Sequence, residues 1–135
     1  MSVQLIQAYF EAFNAQNEHG MLAMLSDDVI HDINQGQREI GRDKFQAFLS
    51  HMNASYREQI VDLVVMSDVS GTRFAAEYVV IGSYLKTDEG FPEASGQSYR
   101  LPAGSFFEVE LTKIKRVTTY YNVREWLLQI GSATP

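Results

Sequence analysis

The spacing of apolar positions along the chain changes once, near residue 55. Before that point it is helical: Leu5, Ile6, Tyr9, Phe10 and Phe13 recur at i, i+3, i+4, which predicts an amphipathic helix over about 3–15, ended by Asn14 to Asn17. Met21, Leu22, Met24 and Leu25 repeat the period ahead of Ser26-Asp27-Asp28, so a short second helix folds back on the first. Val29-Ile30-His31-Asp32-Ile33 is β-branched and bounded by Asp28 and Asn34-Gln35-Gly36, a short strand entering a turn. Residues 41–53 return to the helical period, with Phe45, Phe48, Leu49 and Met52 on one stripe.

Beyond this the period is two. Residues 60–66, 74–85, 99–109 and 114–121 read as four strands, with connections at 68–72 and 110–113 short enough for antiparallel hairpins. Residues 86–98, rich in Gly, Pro, Asp, Glu and Ser, are expected to be a mobile loop, and 122–130 a last short helix. Helices followed by a long meander predict one α+β domain over 1–135, a curved, mostly antiparallel sheet with three N-terminal helices and a short C-terminal one. Gly82 and Gly104, inside strand-like runs, suggest bulges that curl the sheet into a cone with a pocket.

With 135 residues, 45% of them hydrophobic and 21% charged, the chain can bury a core without staples. It has no cysteine, which removes disulfides and thiolate chemistry. A net charge of −6 opposes nucleic-acid binding, and no window approaches the ~20 apolar residues of a membrane span, so a cytoplasmic protein is expected. Lys113, Lys115 and Arg116 read as a solvated strand edge. His19, His31 and His51 fall on three different elements, and neither a metal nor a cofactor is expected.

The phosphate-loop, dinucleotide, nucleophile-elbow and zinc-protease motifs are missing, which leaves acid–base chemistry or binding. Asp32 stands out as a carboxylate between Ile30 and Ile33. Desolvation there would raise its pKa and suit a general base; alternatively it caps the turn that follows. Tyr9 shares the inner stripe of the first helix, as a core phenol or a ligand-binding one. Strand alternation places Tyr78 and Val80 on one face with Tyr99, Ala103, Ser105 and Phe107, and Thr119 and Tyr121 complete the wall. With Asn34 and Tyr56 these residues form the expected lining for a small apolar ligand carrying one or two oxygens. Val79, Ile81, Phe106 and Val109 would lie on the convex side, an apolar patch that predicts a homodimer.

The stretches IQAYFEAFNAQ, MLAMLSDDVIHDINQG and GRDKFQAFL resemble the nuclear-transport-factor-2-like superfamily, in particular its ketosteroid isomerase-related, SnoaL-like branch, over nearly the whole chain. The resemblance implies a cone-shaped fold and cofactor-independent proton transfer on a small apolar carbonyl compound, as an isomerase or a related lyase or cyclase. It matches Tyr9 and Asp32 to the isomerase family's tyrosine and general base, and places Ser105 where that family has a second acid. Since members of the superfamily range from isomerases to pure binders, it equally admits a ligand-binding or dimerising domain without turnover.

Overall fold

The computed structural model describes residues 2–131, as the element order α1 (Ser2–Asn14), α2 (Glu18–Ala23), β1 (Leu25–Asp32), β2 (Arg38–Ile40), α3 (Arg42–Ser55), β3 (Tyr56–Ser67), β4 (Arg73–Tyr84), β5 (Gln97–Glu110), β6 (Lys113–Tyr121) and α4 (Val123–Gly131). The six strands form one sheet in the order β2-β1-β6-β5-β4-β3. All neighbours are antiparallel except β1 and β6, which run parallel. The α+β class and the four helices are as the sequence pattern implies. Two features are not: Ser26-Asp27-Asp28 belongs to β1 instead of ending a helix, and β2 is a short strand that the polar run 37–39 hides.

The helices are held by the stripes that predict them. Ile6, Tyr9 and Phe10 of α1 and Phe45 and Leu49 of α3 are buried against the inner face of the sheet, each large side chain contributing about 1.5–3 kcal/mol of burial. Asn17 caps α2 by accepting a hydrogen bond from the Gly20 amide at 2.9 Å. Gly41, the N-cap of α3, has φ +110°, a left-handed conformation in which a side chain would be strained. Edge strand β3 is covered by Asn14, whose side chain donates to the Ile60 carbonyl at 3.0 Å and accepts from its amide at 2.7 Å. At Ile60 this edge of the sheet is thereby paired with the end of α1.

Two cores result. One, at the α1–α3 side, gathers Ile6, Phe10, Leu25, Val29, Phe45 and Phe107, while the other, under α4, gathers Tyr56, Tyr84, Tyr99, Leu101, Trp126 and Ile130. The register breaks lie between Leu25 and Ile30, Val61 and Val64, and Glu108 and Val109, with Asp62 at φ +56°. They are therefore not at Gly82 or Gly104, which sit in continuous pairing with Tyr99 and Glu77. Val109 is buried, so it does not belong to the convex patch: its parity matches the inward-facing Ser105 and Phe107.

The cluster Lys113, Lys115 and Arg116 is likewise not on a sheet edge, because β6 lies between β1 and β5. Lys113 donates to the Ala23 carbonyl at 2.6 Å, and Arg116 is ion-paired with Glu108. The loop 85–96 is tied down. The Tyr84 hydroxyl donates to the Pro92 carbonyl at 2.6 Å and accepts from the Asp88 amide at 2.9 Å.

Candidate functional site

Between the two cores the inner face of the sheet and helices α1, α3 and α4 enclose a cavity of about 430 Å³. Its walls are mostly aromatic and aliphatic, as in ligand pockets generally. Tyr9, Asn34, Tyr56, Tyr78, Val80, Ala103, Ser105, Thr119 and Tyr121 all line it. Tyr99 and Phe107 are buried beside the cavity without lining it.

Asp32 is on the opposite face of the sheet. Strand parity sends His31 inward and Asp32 outward. There Asp32 accepts from Arg38 Nε at 2.6 Å, Arg38 Nη2 at 3.0 Å and Thr118 Oγ1 at 2.7 Å, with Arg116 at 3.8 Å. The Arg38 hydrogen bonds, with lesser help from Thr118 and Arg116, hold its carboxyl down to about 2, against an ordinary 3.8. The expected raised pKa is thus reversed, because ion pairing outweighs desolvation. Nor does Asp32 cap the turn, which closes through a Gly36 amide to Ile33 carbonyl bond.

His31, one residue away, takes the inward position. It is 5% exposed, packs on Phe45 and Phe48 at ring distances of 4.4 and 4.6 Å, and its Nδ1 has no hydrogen-bond partner among the described residues. Burial lowers its pKa to about 4, only partly opposed by the nearby Asp32 charge, so the ring is neutral at pH 7. Sequence spacing offers a signal for this: His31 has the parity of Val29 and Ile33, and a strand whose inner face is apolar must turn Asp32 away from it.

Ser105 stands at the centre of a string of hydroxyls. Tyr78 Oη and Ser105 Oγ are 2.7 Å apart, and Ser105 Oγ and Thr119 Oγ1 are 2.8 Å apart. Tyr9, buried in the core, has its phenol pKa raised by that burial and remains a neutral donor.

Two carboxylates line the cavity without having been singled out by the sequence. Glu58 is on β3, where its Oε2 accepts from Tyr99 Oη at 2.6 Å; burial raises its pKa and the Tyr99 bond only partly offsets that. Asp88, in the loop 85–96, accepts from Tyr56 Oη at 2.7 Å and lies 2.9 Å from His51 Nε2. Among the described residues no Lys or Arg lines the cavity. The site is therefore an apolar chamber with neutral donors on one wall and an uncompensated carboxyl on another, suited to a neutral ligand with an acceptor oxygen.

The fold is shared widely among solved structures. A protein of Xanthomonas campestris pv. campestris is 57% identical, with 93% of each chain covered and a TM-score of 0.91. One of Pseudomonas putida KT2440 is 52% identical over 96% of this chain and 98% of its own, with a TM-score of 0.95; both are described as "putative polyketide cyclase". An NTF2-like protein of unknown function from Burkholderia pseudomallei K96243, 18% identical over 94% and 95% of the two chains with a TM-score of 0.80, shares the fold. None of the curated proteins compared matches the chain. The SnoaL-like domain profile matches residues 6–117, and with that match spanning most of its length the chain belongs to the SnoaL-like family.

Proposed function

We propose that the cavity takes a small, neutral, apolar carbonyl compound and that the protein catalyses proton transfer on it, as an isomerase or a ring-closing cyclase. The observation that carries this reading is the hydroxyl string. Tyr78, Ser105 and Thr119 bring three O–H hydrogens, and the two contacts between them use two. One donor is left over, on a wall of a mostly apolar chamber, for an acceptor oxygen of a ligand. Neutral Tyr9 lines the same chamber as a further donor. The description of the Xanthomonas and Pseudomonas relatives agrees with this, since closing a ring from a chain of carbonyl groups starts with loss of a proton beside a carbonyl.

1-Indanone, titrated calorimetrically, is a suitable probe. Loss of one hydrogen bond at the string costs about 1 kcal/mol, so Thr119→Val and Ser105→Ala should each weaken binding about fivefold while leaving the affinity for the hydrocarbon indane unchanged. Equal loss for ketone and hydrocarbon would refute a carbonyl site. A second reading, ligand binding without turnover, is favoured by the removal of Asp32 from the cavity; absence of any catalysed exchange on bound ketones would support it.

The convex face supports pairing with a second copy. Phe106 is 45% and Tyr120 58% exposed there. They adjoin Arg73, Arg116 and Glu108, charges of both signs that a two-fold axis can match to themselves.

A further inference from the structure

Glu58 occupies one cross-strand row with Gly82 and Tyr99: Glu58 pairs with Gly82 on β4, and Gly82 with Tyr99 on β5. The middle position has no side chain, and the Tyr99 ring fills the space. A Cβ at Gly82 would come within 2.3 Å of Tyr99 Cζ, 2.4 Å of Cε2 and 2.5 Å of the hydroxyl. Only glycine lets the ring lie across β4 and deliver its hydroxyl to Glu58 Oε2 at 2.6 Å. Oε1 makes no hydrogen bond among the described residues and is not one of the occluded unpartnered atoms, so it keeps accessible surface, and Glu58 is a lining residue of the cavity.

A carboxyl in an apolar wall without a cation is a cost to the fold, and a purely structural residue there would be apolar or paired. One oxygen held and one without a partner, on a residue that lines the cavity, is an arrangement suited to a group that exchanges protons.

We propose that Glu58 is the catalytic base of the cavity, its Oε1 removing a proton from the carbon beside the ligand carbonyl, with Tyr99 and Gly82 as positioning residues. The step balances without redox chemistry. The C–H bond breaks, its electron pair forms the enolate whose oxygen the hydroxyl string holds, and the Oε1–H bond forms. The proton then returns to the same or a conjugated carbon. This assignment rests on the carbonyl reading of the cavity.

The test follows exchange of the C2 hydrogens of 1-indanone in D2O by NMR, beside calorimetric binding of the same probe. Wild type should accelerate exchange over buffer. Glu58→Gln should bind 1-indanone as wild type does and lose at least ~100-fold of the acceleration. The phenols that face Glu58 are Tyr99 and, within reach of its charge, Tyr78 and Tyr121; Tyr56 and its partner Asp88 stand on the same side of the cavity. The Tyr99 bond favours the anion, so Tyr99→Phe should move the acidic limb of the exchange profile to higher pH, and Gly82→Ala, by displacing the ring, should do the same.

A structural role alone would change melting and leave that limb in place. Wild-type exchange by Glu58→Gln, or a wild type that binds 1-indanone without accelerating exchange, overturns the assignment but leaves the carbonyl site standing. Absence of binding overturns the reading of the cavity, and the assignment with it. A Tyr99→Phe profile identical to wild type overturns the positioning role, and Tyr99→Phe decides that point even where Gly82→Ala fails to fold.

Discussion

Replacing Asp32 by Asn should destabilise the protein, and by an amount that disappears in acid. In the folded state the carboxylate accepts three hydrogen bonds, two from Arg38 and one from Thr118, and its pKa is about 2 against 3.8. Folding therefore favours the anion. That stabilisation is fully present above about 4, and is lost as pH falls through the folded value. A tenfold change in an ionisation constant is about 1.4 kcal/mol, which sets a ceiling near 2.5 kcal/mol. Arg38 is 55% exposed and Asp32 24%, so solvent and salt screen the pair, and about 1 kcal/mol is the expected loss. For a chain of 135 residues this is a drop of about 3–4 °C in melting temperature. The assay is a thermal melt of Asp32→Asn beside wild type at pH 7 and again near pH 2. A gap of several degrees at pH 7 that closes in acid is the predicted result. A variant as stable as wild type at pH 7, or a gap indifferent to pH, would refute the claim that Asp32 is a paired anion.

Three further outcomes follow from the same geometry. His31 has a folded pKa of about 4 against 6.5 when free, so the unfolded chain binds the extra proton between those values and stability should fall as pH drops through that window; His31→Leu should flatten this part of a pH–stability curve, and an unchanged curve would count against it. Asn14→Ala removes both hydrogen bonds to Ile60, so a loss of about 2 kcal/mol and roughly 7 °C is expected by differential scanning calorimetry. Light scattering at micromolar concentration should give about twice the 15.3 kDa chain mass, and Phe106→Glu should return it toward one; a wild type at the monomer mass would exclude pairing.

Period and alternation are local properties of the chain, and what depends on them alone was legible. The stripe of Ile6, Tyr9 and Phe10 specified α1. Alternation along β4 and β5 specified which of their residues face inward, and so brought Tyr78 and Ser105 into the cavity. The apolar lining needed no knowledge of partners, since burying a face requires only that its residues share parity. What the sequence alone could not decide was every property set by residues far apart in it. Asp32 and His31 differ by one position, yet opposite sides of β1 give one an arginine and the other an aromatic cage, so their pKa values move for unrelated reasons. Glu58 and Tyr99 are 41 residues apart and meet only because β3, β4 and β5 place them in one row, with Gly82 between to leave the space. Charge, protonation and hydrogen bonding depend on distances of a few ångströms, and those distances exist only after the sheet has closed.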